Sequence, residues 1–191
     1  KSDAPVWLNA SAGDLMELTL IAAHGAKVNL LQSGDVVLNK ADVRGGDLEI
    51  DGPLANLVIG GAVAVQGSVD IGAHMIAQGD DVTAQTGGIR LVAEGDYIAQ
   101  TGTETRAEQG QILLGAGEIV QLSQLYSGFA GATGNAISVD GRIVRGTNGG
   151  THITASAGAV SLLGDEVGSA QAPISVEVAE LSLKAETHAH I

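Results

Sequence analysis

Cysteine is absent from these 191 residues, so neither a disulfide nor a thiolate metal site can stiffen the fold. Aromatic side chains are almost missing too: one Trp, one Phe and two Tyr cannot fill a wide interior. Cations are scarce. Nine Lys and Arg against 22 Asp and Glu leave a formal net charge of −13, which repels nucleic-acid phosphate and anionic lipid and predicts neither as a partner. No apolar run approaches the ~18 residues of a membrane-spanning helix. The chain opens Lys1-Ser2-Asp3, with neither an initiator Met nor a signal peptide, and this predicts a segment excised from a longer protein.

What is present is aliphatic and turn-rich. Hydrophobic residues make up 45%, nearly all Ala, Val, Leu and Ile, and glycine stands at 28 residues, about twice its usual share and without the three-residue period of collagen. The unit glycine, any residue, apolar, any residue, apolar recurs at Gly34–Leu38, Gly46–Ile50, Gly61–Val65, Gly110–Leu114 and Gly158–Leu162, with looser copies at Ala26–Leu30, Gly88–Leu91, Ala136–Val139 and Pro173–Val178. Each unit predicts a turn feeding a short strand with one buried face. The intervals Gly61 to Gly110 and Gly110 to Gly158, 49 and 48 residues, predict two coils of about 24 residues each.

No glycine-free window carries apolar residues at helical spacing between caps, so a βαβ sheet is excluded. Two all-β architectures remain: a tandem β-sandwich with units of about 95 residues, and a parallel β-solenoid. Composition favours the solenoid, because stacked coils take ladders of Val, Ile, Leu and Ala about 4.8 Å apart, whereas a sandwich fills a gap of about 10 Å with larger groups. The expectation is one solenoid over residues 1–191, of roughly eight coils and near 40 Å long. Within Gly87–Gly102 it points Ile89, Leu91 and Ala93 inward, turns at Glu94-Gly95-Asp96 and points Ile98 inward from the next side. Two interruptions are expected, a loop at Ser123–Asn135 and a more polar, solvated bulge at Thr101–Gln109.

The stretch Glu166–Ala185 (EVGSAQAPISVEVAELSLKA), following Ala159–Asp165 (AVSLLGD), resembles the degenerate repeat of filamentous-haemagglutinin-like bacterial surface proteins. The resemblance covers Gly34 to Ala185 as a style of sequence and Ala159 to Ala185 as a motif. It implies a right-handed parallel β-helix, an extracellular or cell-surface location, and a structural or adhesive shaft in attachment or cell–cell contact. The partners it implies are a cell-surface glycan or protein, together with neighbouring repeats of the same chain. The Asn-Pro-Asn motif of the secretion domain is missing, which places any match in the shaft.

Chemistry offers weaker signals. Asp35, Asp47, Asp80, Asp96 and Asp165 follow glycine, as calcium-binding turns do, but the calcium β-roll nonapeptide is absent and Asp also suits a corner by bonding backbone amides. No cofactor is expected, with calcium the one alternative. His188 and His190 share a strand face without the three or four ligands that zinc needs. The competing function is a β-helix polysaccharide lyase or glycosidase, whose acid–base groups would come from Asp80, Asp81, Arg90, Glu94, Glu104, Arg106 and Glu108. Proximity in sequence is all that joins these residues, so no catalytic or metal residue is assigned. Ser127–Gly134 is glycine-rich but lacks the Lys and helix of a phosphate loop. Tyr126 and Phe129, half of the aromatics, either pack under their loop or are displayed to a partner.

Overall fold

Short alternating runs fenced by glycine cannot bury a face alone, and the chain solves this by stacking them. The computed structural model of the protein describes residues 5–10, 15–31, 34–131, 134–147 and 151–191. Among them are twenty strands and no helix: β1 (Val6–Ala10), β2 (Leu15–Ala22), β3 (Ala26–Leu30), β4 (Gly34–Val43), β5 (Leu48–Ile59), β6 (Val63–Val65), β7 (Val69–Gln78), β8 (Val82–Ala84), β9 (Ile89–Ala93), β10 (Tyr97–Ala99), β11 (Glu104–Ala107), β12 (Ile112–Ala116), β13 (Ile119–Leu122), β14 (Gln124–Ser127), β15 (Asn135–Asp140), β16 (Ile143–Gly146), β17 (Thr151–Ala155), β18 (Ala159–Val167), β19 (Ile174–Glu177) and β20 (Glu180–Ala189). Every pairing is parallel and joins strands one coil apart, for example β9 with β12 and β12 with β15. This is a β-solenoid of about eight turns, and it excludes the tandem sandwich, whose sheets pair antiparallel.

Three faces follow from the register. The inward ladder of the first runs Leu8, Val28, Ile50, Ile71, Leu91, Leu114, Val139, Leu162, Leu183. The second runs Met16, Val36, Leu57, Ile76, Tyr97, Val120, Val144, Val167, Ala189. The third runs Leu20, Ala41, Val63, Val82, Thr105, Leu125, Ile153, Val176. Nine rungs on the first face make a rod of roughly 38 Å at the strand spacing of about 4.8 Å.

Coil length is less regular than the glycines suggest. Steps along the first ladder are 20 to 22 residues as far as Leu91, then 23, 25 and 23 as far as Leu162. The 48-residue interval from Gly110 to Gly158 does span two coils, since both glycines lead into the first face. The 49-residue interval does not: Gly61 leads into the third face, at a different corner. Glycine marks corners, and each coil has three.

Two further expectations are corrected. Ile98 lies on the outer side of β10, while Tyr97 and Ala99 point inward. An inward Tyr is sustainable because the buried Gln78 Oε1 accepts from both the Tyr97 hydroxyl and Thr105 Oγ1 (3.0 Å), and Gln78 Nε2 donates to the carbonyls of Asp80 (3.0 Å) and Glu104 (3.2 Å). Every polar group of this core cluster is used, as burial requires. Burial pushes the Tyr97 phenol well above its ordinary range. The stretch Thr101–Gln109 is not a bulge either: it contains β11, which pairs with β8 and β14, and its polar inward residue Thr105 conceals the alternation. The Ser123–Asn135 stretch likewise contains β14, and a corner between the third and first faces begins at Gly128; residues 132 and 133 lie outside the described residues.

Candidate functional site

Corner chemistry is built between coils. Asp47 Oδ1 accepts from the Ser68 amide (2.6 Å), Asp81 Oδ1 from the Glu104 amide (2.7 Å) and Asp96 Oδ1 from the Ile119 amide (3.1 Å), each one coil further along. These carboxylates satisfy amides that a corner turns out of the strand ladder. Asp35 instead accepts from Asn56 Nδ2 (3.1 Å). Among the described residues no three His, Asp or Glu side chains are grouped as metal ligands.

The residues that would serve a polysaccharide-cleaving site are brought together only in part: Asp81, bonded to the Glu104 amide, adjoins the Glu104, Arg106 and Glu108 group, while Arg90 and Glu94 lie elsewhere. Asp80 and Asp81 sit at the corner between the second and third faces, where Asp80 Oδ1 accepts from the Asp81 amide (2.7 Å). Arg90 lies on the first face, paired with Asp70 (2.7 Å), and Glu94 lies at the next corner beside His74 (3.7 Å). Glu104, Arg106 and Glu108 do cluster, on the third face. Arg106 holds both carboxylates (3.1 and 2.7 Å), and its bond to Glu108 is the main reason its pKa rises.

Tyr126 stands on the rung after Arg106, whose guanidinium covers one side of the ring at 3.9 Å from the centroid, and its hydroxyl lies 3.3 Å from Ser156 Oγ. Phe129 is partly buried against the core, at a corner that Ser127 Oγ shapes by accepting from the Phe129 amide (3.2 Å) and donating to the Gly110 carbonyl (2.8 Å). His188 and His190 lie in the last rung with their rings 5.8 Å apart; His188 faces Glu166 at 3.9 Å. That rung is exposed but paired: β20 runs beside β18, and the His190 carbonyl accepts from the Ile174 amide.

One concavity among the described residues was not signalled by any motif. It is a depression of about 540 Å³ at the edge of the second face, within the usual size of a small-molecule site. Its position is set by one outward column, Ile98, Gln121, Arg145 and then Gly168, the residue just beyond the Val144–Val167 pair. Gly168 has φ +71°, and a Cβ there would overlap the His190 carbonyl oxygen, so position 168 places no side chain over Arg145. The turn that follows, closed by reciprocal bonds between the Ser169 and Ala172 backbones (3.2 and 3.1 Å), forms a wall. Thr101, Gln121, Glu166, Ser169 and Gln171 supply polar groups around the guanidinium. No protein-family model matches the chain, and neither a curated protein nor a solved structure matches it.

Proposed function

We propose that the chain is a structural and adhesive rod of a secreted or cell-surface bacterial protein, and that it makes its contacts along its sides. The observation that carries this reading is the dispersal of its reactive groups around a long, stacked core. Ion pairs such as Arg90 with Asp70 and Arg106 with Glu108 are distributed over different faces, around a core of stacked, mainly aliphatic ladders. Such a surface supports many modest contacts over its length. The motif at Ala159–Ala185, which resembles the repeats of filamentous-haemagglutinin-like proteins, supports the same reading. In it, the third-face patch around Tyr126 is one contact region.

The test combines cell or glycan adhesion by the purified chain with an assay for cleavage of pectate and alginate. Adhesion without turnover, weakened by Tyr126→Ala in a variant of unchanged melting temperature, is the expected result. Phe129→Ala is the companion variant and should chiefly lower stability, because Phe129 packs on the core. Depolymerisation abolished by Asp80→Asn or Glu94→Gln would replace this reading with a polysaccharide-processing enzyme.

A further inference from the structure

Four of the five arginines are paired: Arg44 with Asp42, Arg90 with Asp70, Arg106 with Glu104 and Glu108, and Arg142 with Glu118, all within 3.1 Å. The fifth is Arg145. It carries no ion pair among the described residues, although carboxylates outnumber cations in this chain by 22 to 9. It also lines the depression at the edge of the second face, where position 168 carries no side chain above it. An unpaired guanidinium in such a setting is a vacant recognition group.

We propose that this depression binds a single uronate unit of an acidic glycan, with Arg145 pairing its carboxylate. The planar guanidinium fork matches a carboxylate through two parallel bonds. The hydroxyls of Thr101 and Ser169 and the amides of Gln121 and Gln171 offer both donors and acceptors, as a pyranose with several hydroxyls requires. Gln121 is already oriented by donating to the Ala99 carbonyl (3.0 Å). Among the described residues no aromatic side chain lines the depression, so a neutral sugar would have no platform there on which to stack, and the charge pair must carry much of the affinity. Two features set the charge of the ligand. Glu166 on the rim and the net charge of −13 oppose a densely sulfated or phosphorylated polymer, whereas one carboxylate meets one cation.

The biological use of this site rests on the adhesive reading above, but its binding is measured separately. Amide chemical shifts of the full chain are followed by NMR during titration with methyl glucuronide, methyl glucoside and acetate. Methyl glucuronide should shift residues around Arg145 and bind roughly tenfold more tightly than either of the others, a difference of about 1.4 kcal/mol. Arg145→Gln should remove that preference, while Arg90→Gln on another face leaves it intact. Glu166→Gln should tighten the glucuronide and leave the glucoside unchanged, an effect that general loosening of the wall would not produce. Equal binding of glucuronide and glucoside, binding of acetate as tight as that of glucuronide, absence of binding at millimolar ligand, or an unaffected Arg145→Gln variant would each overturn the proposal. Adhesion that persists in Arg145→Gln alongside any of these results would leave the rod reading standing, whereas loss of adhesion in the unaltered chain would strike that reading alone.

Discussion

Leu114 and Leu183 belong to the same inward ladder of the same face, three rungs apart, yet their circumstances differ. Leu114 is 0% exposed and Leu183 39%; at the opposite end Leu8 is 37% exposed, and the seven rungs between the two ends are at 1% or less. The coils have the same inward pattern throughout, so a coil does not bury its own side chains. Burial comes from the rung above and the rung below, the nearest-neighbour condition of a stacked repeat. Middle rungs have both neighbours. Terminal rungs have one, and β20 is exposed along nearly its whole length.

The comparison is tested most severely by charge in the middle. Leu114→Asp, like Val63→Asp, places an unpaired carboxylate between two apolar rungs and should cost several kcal/mol, enough to abolish the cooperative melting transition. Truncation then separates middle from end. Leu114→Ala should cost about 2–5 kcal/mol, and Leu183→Ala less than half of that, read from urea midpoints. Equal costs would break the neighbour account.

A smaller effect concerns a polar inclusion in the middle of the core. Tyr97→Phe deletes a hydrogen bond to Gln78 but leaves Thr105 bonded there, so about 1 kcal/mol should be lost. The pH dependence has a definite sign. With the phenol pKa raised in the folded state, the folded protein holds the proton more tightly than the unfolded chain. This group's contribution is therefore level below about pH 10 and falls above it by about 1.4 kcal/mol per pH unit. Tyr97→Phe should remove that alkaline limb from the stability profile.

The smallest effects belong to the outer surface. Glu49 projects outward beside Lys27, and Glu49→Ala should change stability by less than about 0.5 kcal/mol despite the ion pair. Millimolar calcium or EDTA should move the melting temperature by no more than about a few degrees, since a stabilising ion acts through RT ln(1 + [L]/Kd). A calcium-dependent folding transition would reassign the acidic corners as ligand sites.

The sequence by itself determined the fold class. Gly34–Leu38, Gly110–Leu114 and their copies alternate with a period of two between glycines, and a chain poor in aromatics can fill only a thin core, which stacking provides. The inward set Ile89, Leu91 and Ala93 was legible for the same reason. Where a polar residue points inward, the pattern fails: Thr105 concealed β11, and Tyr97 displaced Ile98, because Gln78, which accepts the hydrogen bonds that permit both, lies in the preceding coil. Tertiary structure alone decided which corner each glycine serves, since three corners per coil make equal intervals ambiguous. It also decided the depression at Arg145. Gln121, Arg145 and Gly168 lie 24 and 23 residues apart and become neighbours only through the register of stacked rungs, while the turn that walls the site leaves the strand period altogether. Local alternation is written in adjacent residues; a surface made across coils exists only once the coils are stacked.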